Sequence, residues 1–168
     1  MKNSFWQSAV TYGFIIGLGL IILSLVDWRL GFYGQNFAFS LLSYVAIIGG
    51  LVWGALAYRK QTGGVISYGT LISFSLVAVV VYTLVSGLFS LLLTQVIEPS
   101  YMEKTLAILE DSLIAKGIPD HQINMIMEAT KKLAGLSMLG SFFVSILMGG
   151  VISLITSAFI QRKSNFGV

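Results

Sequence analysis

Long uncharged, mostly apolar stretches alternate with short charged segments along this chain. Four stretches contain no Asp, Glu, Lys or Arg: 3–26, 30–58, 61–97 and 133–161. Each is longer than the roughly 20 residues that an α-helix needs to cross the hydrocarbon of a bilayer. Because backbone polar groups in lipid must hydrogen-bond within their own segment, these stretches predict helices. The pattern predicts an all-α integral membrane protein, a single membrane domain over 1–168, with four transmembrane helices at about 5–26, 37–58, 67–97 and 134–160.

The segment between the third and fourth predicted spans, residues 100–132, is amphipathic. An apolar stripe over 106–113 predicts a helix, and Ser100 with Glu103 gives a capping-box signature ahead of it. Gly117 marks the end of that helix, after which a second helix starts. We therefore expect a helical hairpin between helices three and four. Whether its second helix continues into the fourth span is open at this point.

The distribution of charge predicts the orientation. Only 10% of the residues are charged, and the net charge is +3. Cytoplasmic loops of membrane proteins are enriched in Lys and Arg. Placing both termini and the loop after helix two in the cytoplasm puts five basic residues and no acid there: Lys2, Arg59, Lys60, Arg162 and Lys163. We expect a multi-pass protein of the bacterial inner membrane with cytoplasmic termini, an extracytoplasmic hairpin and no nucleic-acid partner.

Small residues recur every four positions along the fourth predicted helix. The row consists of Ser137, Ser141, Ser145, Gly149, Ser153 and Ser157. Shorter motifs occur in the first two helices, at Gly13, Gly17, Gly50 and Gly54. Such spacing is typical of closely packed transmembrane helices. A four-residue step advances about 400° around the helix, so the row drifts and should meet two neighbours, or one neighbour and a polar groove. Close packing is the favoured interpretation, and a substrate path along the hydroxyls is the alternative.

Charged groups within a membrane span are the usual marker of an ion or proton pathway. None lies in the middle of a predicted span, and Asp27 and Glu98 are expected at span ends, where carboxylates can reach the interface. The lone His121 lacks a second ligand at metal-binding spacing. We therefore predict no catalytic residue, no metal site and no cofactor, and we expect that the protein is not an enzyme.

A glycine-rich turn precedes the third helix, close to two basic residues. Arg59, Lys60, Gly63 and Gly64 are candidate contacts for a phosphate or a lipid headgroup at the inner rim, because a glycine-rich helix start can bind phosphate. The simpler interpretation is a tight turn with interfacial cations.

Several short motifs, in this order and spacing, resemble one known family. They comprise Gly63-Gly64 with Ile66-Ser67-Tyr68-Gly69, Ile97-Glu98-Pro99-Ser100-Tyr101, Lys116-Gly117, Gln122-Ile123, and Gly150 with Ile152, Leu154 and Ile155. The chain resembles the bacterial membrane family called domain of unknown function 4199 over almost its whole length. The resemblance implies a four-helix inner-membrane protein with an extracytoplasmic insertion between helices three and four. It implies no activity, and it gives slight support to polyprenyl-phosphate sugar transferases as partners.

Two functions fit these observations. The first is a non-enzymatic accessory or scaffold subunit that docks a membrane or envelope partner, or a second copy of the chain, through its outer hairpin. The alternative is a small transporter or flippase for a lipid-linked sugar or another lipid. A groove that is open to lipid would favour the alternative, whereas a sealed serine row would weaken it.

Overall fold

The protein is a bundle of long helices. The computed structural model describes residues 4–160, except for the side chains of 134–139 and 141. Its elements are α1 (Phe5–Arg29), α2 (Phe37–Gln61), α3 (Tyr68–Leu92) with a π-helical turn (Leu93–Ile97), α4 (Tyr101–Ala115) and α5 (Asp120–Ile160). Four segments are long and apolar enough to cross a membrane: Phe5–Arg29, Phe37–Gln61, Tyr68–Ile97 and Phe142–Ile160. This is the architecture of a multi-pass membrane protein.

The first two helices continue past the charged residues that bounded the predicted spans. α1 ends at Arg29 rather than near residue 26, and α2 ends at Gln61 rather than near residue 58. Basic side chains in a last turn interact favourably with the carbonyl end of a helix, so these charges belong to the helices. The predicted third span is divided. Its last five residues form the π-helical turn, which closes with the Glu98 amide donating to the Leu93 carbonyl at 2.8 Å.

The hairpin consists of α4 and the first turns of α5. Leu106 and Leu113 of α4 are buried together with Ile123 and Met127 of α5. Gly117 connects the two helices with a φ of +71°, a left-handed conformation that favours glycine. α5 is one uninterrupted helix of 41 residues, so the second hairpin helix is continuous with the fourth span.

The capping box expected at Ser100 does not form. Ser100 has a ψ of 3°, which is not the extended backbone of an N-cap, and its side chain caps no helix amide. Its hydroxyl donates to the Glu98 carboxylate instead. A capping box is found at the start of α1, where Ser4 and Gln7 exchange backbone-to-side-chain bonds.

The four long helices form a ring. α3 packs on α1 and α5, and α2 packs on the same two helices. Within the described residues, the backbones of α1 and α5 do not approach each other, so these two helices lie opposite each other. We call the end that carries the α1–α2 turn (30–36) and the hairpin the hairpin end. The opposite end, with the α2–α3 turn (62–67), is the loop end.

Glycines permit the closest helix contacts. A Cβ added at Gly13 would lie 2.7 Å from the carbonyl oxygen of Ala78, and one at Gly17 would lie 2.8 Å from Cγ1 of Val85. Gly13 and Gly17 of α1 contact Ala78 and Val85 of α3 in the same order along the chain, so α1 and α3 run parallel. Added Cβ atoms would also meet a neighbouring helix at Gly50 (2.5 Å from Ile16), Gly54 (2.9 Å from Tyr12) and Gly149 (2.5 Å from Val79).

Tight packing occupies the loop end and the middle of the bundle. The loop-end core contains Ala9, Ala55, Tyr58, Ile66, Leu71, Phe74 and Ile160. The middle core contains Ile16, Leu51, Ala78, Val79 and Tyr82. Among the described residues, no further buried cluster follows within the bundle toward the hairpin end. A cavity lies there instead.

The α1–α3 contact yields a test of the packing. Replacing Gly13 by Ala places a methyl group against the backbone of Ala78, which has no side-chain freedom to yield. Overpacking of this kind typically costs about 1–3 kcal/mol. We expect Gly13→Ala to lower the thermal unfolding midpoint of the purified protein.

The matched control is Gly19→Ala on the same helix, where an added Cβ meets nothing within 4 Å. Both substitutions raise helix propensity equally, so their difference isolates the clash. Equal midpoints for the two variants would contradict the close α1–α3 contact.

Candidate functional site

A cavity of about 580 Å³ lies between the four long helices at the hairpin end. Its wall takes residues from α1, α2, α3 and α5, and Gly34 and Tyr101 contribute from the α1–α2 turn and α4. This volume is within the roughly 300–1,000 Å³ range of small-molecule pockets.

The cavity wall is mainly apolar by surface area, and equal numbers of apolar and polar side chains line it. The apolar side chains are Leu20, Ile21, Leu23, Phe39, Leu84, Leu88, Phe89, Leu91 and Phe142. The hydroxyl groups are those of Ser24, Ser40, Ser43, Thr83, Ser86, Ser90, Ser145 and Tyr101, and the one acid is Asp27. Leu84 and Leu88 are also 47% and 61% exposed on the outer surface of the bundle. One side of the cavity is therefore part of the surface that faces lipid if the bundle spans a membrane.

Asp27 is a buried carboxylate on this wall. Only 6% of the residue is exposed. Oδ2 accepts a hydrogen bond from the Gly34 amide at 2.6 Å, which holds the α1–α2 turn against the end of α1. Oδ1 is buried and has no hydrogen-bond partner among the described residues. An unpartnered buried polar group costs free energy, and the cost is larger when the group is charged. Asp27 is therefore a candidate functional residue of this cavity.

Asp27 lies at the end of its helix, as expected, but its side chain is buried within the protein rather than exposed. In the sequence, Asp27 and Arg29 cancel in the charge balance. On a helix, however, residues two apart point to opposite sides and do not meet. Arg29 is exposed and Asp27 is buried. The sequence offers only a partial signal, an acid in the last turn of an apolar span followed by a turn rich in glycine, and the burial itself depends on how that turn folds back onto the helix end.

Tyr101 lies beside Asp27 at the same end of the cavity. A Cβ added at Gly34 would lie 3.7 Å from the Tyr101 hydroxyl. The Tyr101 and Tyr33 rings meet edge to face with centroids 5.2 Å apart. Burial raises the pKa of Tyr101, and the nearby Asp27 and Tyr33 raise it further. Tyr101 therefore stays a neutral phenol that can donate or accept a hydrogen bond.

Contacts between the α1–α2 turn and the hairpin close this end of the bundle. Lys104 Nζ lies 3.1 Å from a Glu98 oxygen and 5.5 Å from the Tyr33 ring centroid. Thr105 Oγ1 donates to the Tyr101 carbonyl of its own helix at 2.9 Å and lies 3.4 Å from the Tyr33 carbonyl. The Ser100 hydroxyl, and then Lys104, lower the pKa of Glu98, so it is ionised at neutral pH. We call Tyr33, Glu98, Tyr101, Lys104 and Thr105 the clasp.

The serine row of α5 divides between packing and cavity. Gly149 lies against Val79 of α3 and is sealed, and Ser153 is fully buried with its hydroxyl donating to the Gly149 carbonyl at 2.7 Å. Ser157 is buried as well. Ser145 is on the cavity wall. The side chains of Ser137 and Ser141, the latter a candidate packing residue, lie outside the described residues.

The four candidate phosphate contacts lie at the loop end, away from the cavity. Arg59 Nη1 donates to the Ile160 carbonyl at 2.8 Å, which ties α2 to α5. Lys60 is exposed. Gly63 and Gly64 both have left-handed φ angles, +83° and +87°, as a tight turn requires. The structure thus gives Arg59 a packing contact and the two glycines a turn.

Comparison with known proteins gives one family. A family model described as "Protein of unknown function (DUF4199)" matches residues 11–162. No curated protein and no solved structure matches the chain.

The clasp yields a test of how the cavity is closed. Lys104→Ala removes the contacts to Glu98 and the Tyr33 ring. The pair is partly exposed and screened by solvent, so its loss should change local opening by only a few-fold. We expect amide hydrogen exchange in 30–36 to rise by a few-fold while exchange in the middle of α3 stays unchanged.

Lys116→Ala, at the far end of α4, is the matched control because Lys116 is likewise an exposed lysine. Unchanged protection of 30–36 in Lys104→Ala would show that these contacts do not hold the turn.

Proposed function

Since the chain belongs to the DUF4199 family, whose function is unknown, we propose from the geometry of the cavity that it binds an amphiphilic molecule within the membrane. The function is that of a small non-enzymatic transporter or flippase, with a lipid-linked sugar or another lipid as the ligand. The observation that carries the proposal is the cavity of about 580 Å³ with Asp27 on its wall, one of whose carboxylate oxygens has no hydrogen-bond partner among the described residues.

The position of the charged group in the cavity matches an amphiphile. Asp27, Gly34 and Tyr101 belong to its hairpin end and Leu20 to its deeper end, whereas hydroxyl groups occur along its length. From residue 20 to residue 27 an α-helix rises about 10 Å. A polar headgroup therefore fits at the carboxylate and a hydrocarbon chain fits among the leucines, which is the arrangement of a mostly apolar pocket with a few orienting polar groups.

Access from the bilayer supports the same function. The exposed Leu84 and Leu88 are shared between the cavity wall and the outer surface of α3. An amphiphile can thus enter from the side without crossing the clasp. With the orientation that the basic residues favour, termini cytoplasmic and hairpin extracytoplasmic in the bacterial inner membrane, the headgroup end of the cavity faces outward.

Docking of a partner is the second candidate function, and the hairpin supports it. The hairpin has its own buried core and is tied to the bundle by the clasp, so it presents a fixed surface. Ile114 and Met125 on that surface are 56% and 54% exposed. The partner would be another membrane protein, such as a polyprenyl-phosphate sugar transferase, or a second copy of the chain. Arg59, Lys60, Gly63 and Gly64 remain the proposed contacts for a lipid phosphate at the opposite end.

Filling the cavity tests the lipid-binding function. Ser145→Leu replaces a hydroxyl by an isopropyl group, a gain of two heavy atoms on the cavity wall, where there is room for them. We expect this variant to fold with a midpoint near that of the wild type and to lose the membrane lipids that co-purify, counted by native mass spectrometry. Val144→Leu is the control, because Val144 is 58% exposed on the outside of α5.

Ser153→Leu serves as the contrast, because Ser153 is fully buried and has no space beside it. That variant should be destabilised by about 1–3 kcal/mol through overpacking. Bound lipid that is unchanged in a folded Ser145→Leu variant would refute the lipid-binding function.

Docking is tested on the hairpin surface. Ile114→Glu should abolish co-purification of a partner from native membranes in mild detergent, because a charge placed in an apolar contact must be desolvated. Glu110→Gln, an exposed position on the same helix, should leave it intact. Recovery of the same partner with both variants, or of the isolated protein alone from the wild type, would count against docking through this surface.

A further inference from the structure

The Asp27 carboxylate has one structural oxygen and one oxygen without a role in the fold. Oδ2 accepts the Gly34 amide, whereas the buried Oδ1 lacks any hydrogen-bond partner among the described residues. A buried carboxylate needs a proton or a compensating positive charge. The need is greater here because Asp27 lies in the last turns of α1, where the helix dipole disfavours negative charge.

The described part of the chain supplies no cation to Asp27. Arg29 follows two residues later on the same helix and is exposed. Lys104 is paired with Glu98. None of the described residues on the cavity wall is Lys, Arg or His. A cation that compensates Asp27 can therefore come only from an occupant of the cavity.

The rest of the wall has the chemistry that recognises organic cations. Four aromatic rings line the cavity, one from each of four helices: Phe39 from α2, Phe89 from α3, Tyr101 from α4 and Phe142 from α5. Aromatic faces attract ammonium groups through the ring quadrupole, and cages of such rings are a common way to bind quaternary amines. An anionic phosphate is disfavoured, because it would place a like charge beside Asp27.

We propose that the ligand of this cavity is an amphiphilic organic cation, whose ammonium group pairs with Asp27 and whose hydrocarbon chain lies along the leucines of α1 and α3. This rests on the proposed amphiphile-binding function and narrows its ligand class. A sugar headgroup could donate hydrogen bonds to Asp27 but would leave the carboxylate charge uncompensated, so the cation is the better match.

The test uses the full-length protein in nanodiscs and three probes with the same twelve-carbon chain. Equilibrium dialysis measures binding of radiolabelled dodecyltrimethylammonium, dodecyl maltoside and dodecyl phosphate, with protein-free nanodiscs subtracted. For the wild type we expect saturable binding, with affinity that decreases from dodecyltrimethylammonium to dodecyl maltoside to dodecyl phosphate. This comparison of affinities uses only the wild-type protein, so it does not depend on whether a variant folds.

Asp27→Asn is the decisive variant, because asparagine keeps an acceptor for the Gly34 amide while it removes the charge. We expect its affinity for the ammonium probe to fall at least about tenfold, as when one partner of a buried charge pair is removed. Affinity for the maltoside should change less than threefold. Asp111→Asn, at an exposed position on α4, is the control and should match the wild type.

The outcomes separate this inference from the function on which it rests. Saturable binding of the maltoside without preference for the cation, or equal cation affinity in Asp27→Asn and the wild type, overturns the inference and leaves amphiphile binding standing. Absence of saturable binding for all three probes overturns both. A cation preference that is lost in Asp27→Asn supports both.

Discussion

The parallel contact between α1 and α3 at Gly13 and Gly17 sets the register on which the hairpin end depends. Backbones can approach this closely only where side chains are absent, so the two glycines fix the height of α1 against Tyr82 and Val85. Ten residues further on, about 15 Å along the helix, Asp27 is brought level with the end of α3. The same register places the α1–α2 turn against the start of α4, where Gly34 and Tyr101 meet.

Packing is dense at the loop end and in the middle of the bundle, whereas a cavity occupies the hairpin end. The loop-end and middle cores are closed by aromatic and small residues, among them Tyr58 stacked on Phe74 with centroids 4.8 Å apart. Toward the hairpin end, hydroxyl groups and one carboxylate replace the apolar core. Natural helix bundles rarely leave such a volume and such polar groups unfilled without a functional reason. The cavity is therefore the part of the molecule in which shape and charge both indicate a ligand.

The sequence predicted the helices and the hairpin well because hydrophobic length and amphipathic spacing are local properties. It also indicated that Ser145, Gly149 and Ser153 share a row, but not that Ser145 lies at the level of the cavity while Gly149 and Ser153 lie in the densely packed part. It did not predict the burial of Asp27, since that depends on how a turn folds back onto a helix end. The helix partners of Gly50 and Gly54 were equally out of reach, because a small-residue motif specifies close contact but not the neighbour. At Ser100 a local signature gave a wrong prediction. The hydroxyl does not cap α4, because it donates a stronger, charge-assisted hydrogen bond to Glu98.

If the cavity beside Asp27 is a ligand site and not a packing defect, a crystal structure of the protein grown from a lipid mesophase should show its occupant. We expect elongated non-protein density among Leu20, Leu84 and Leu88, with a polar group at hydrogen-bonding distance, about 3 Å, from the Asp27 carboxylate. A closed bundle in which protein side chains fill the cavity and Asp27 is paired within the chain would contradict it.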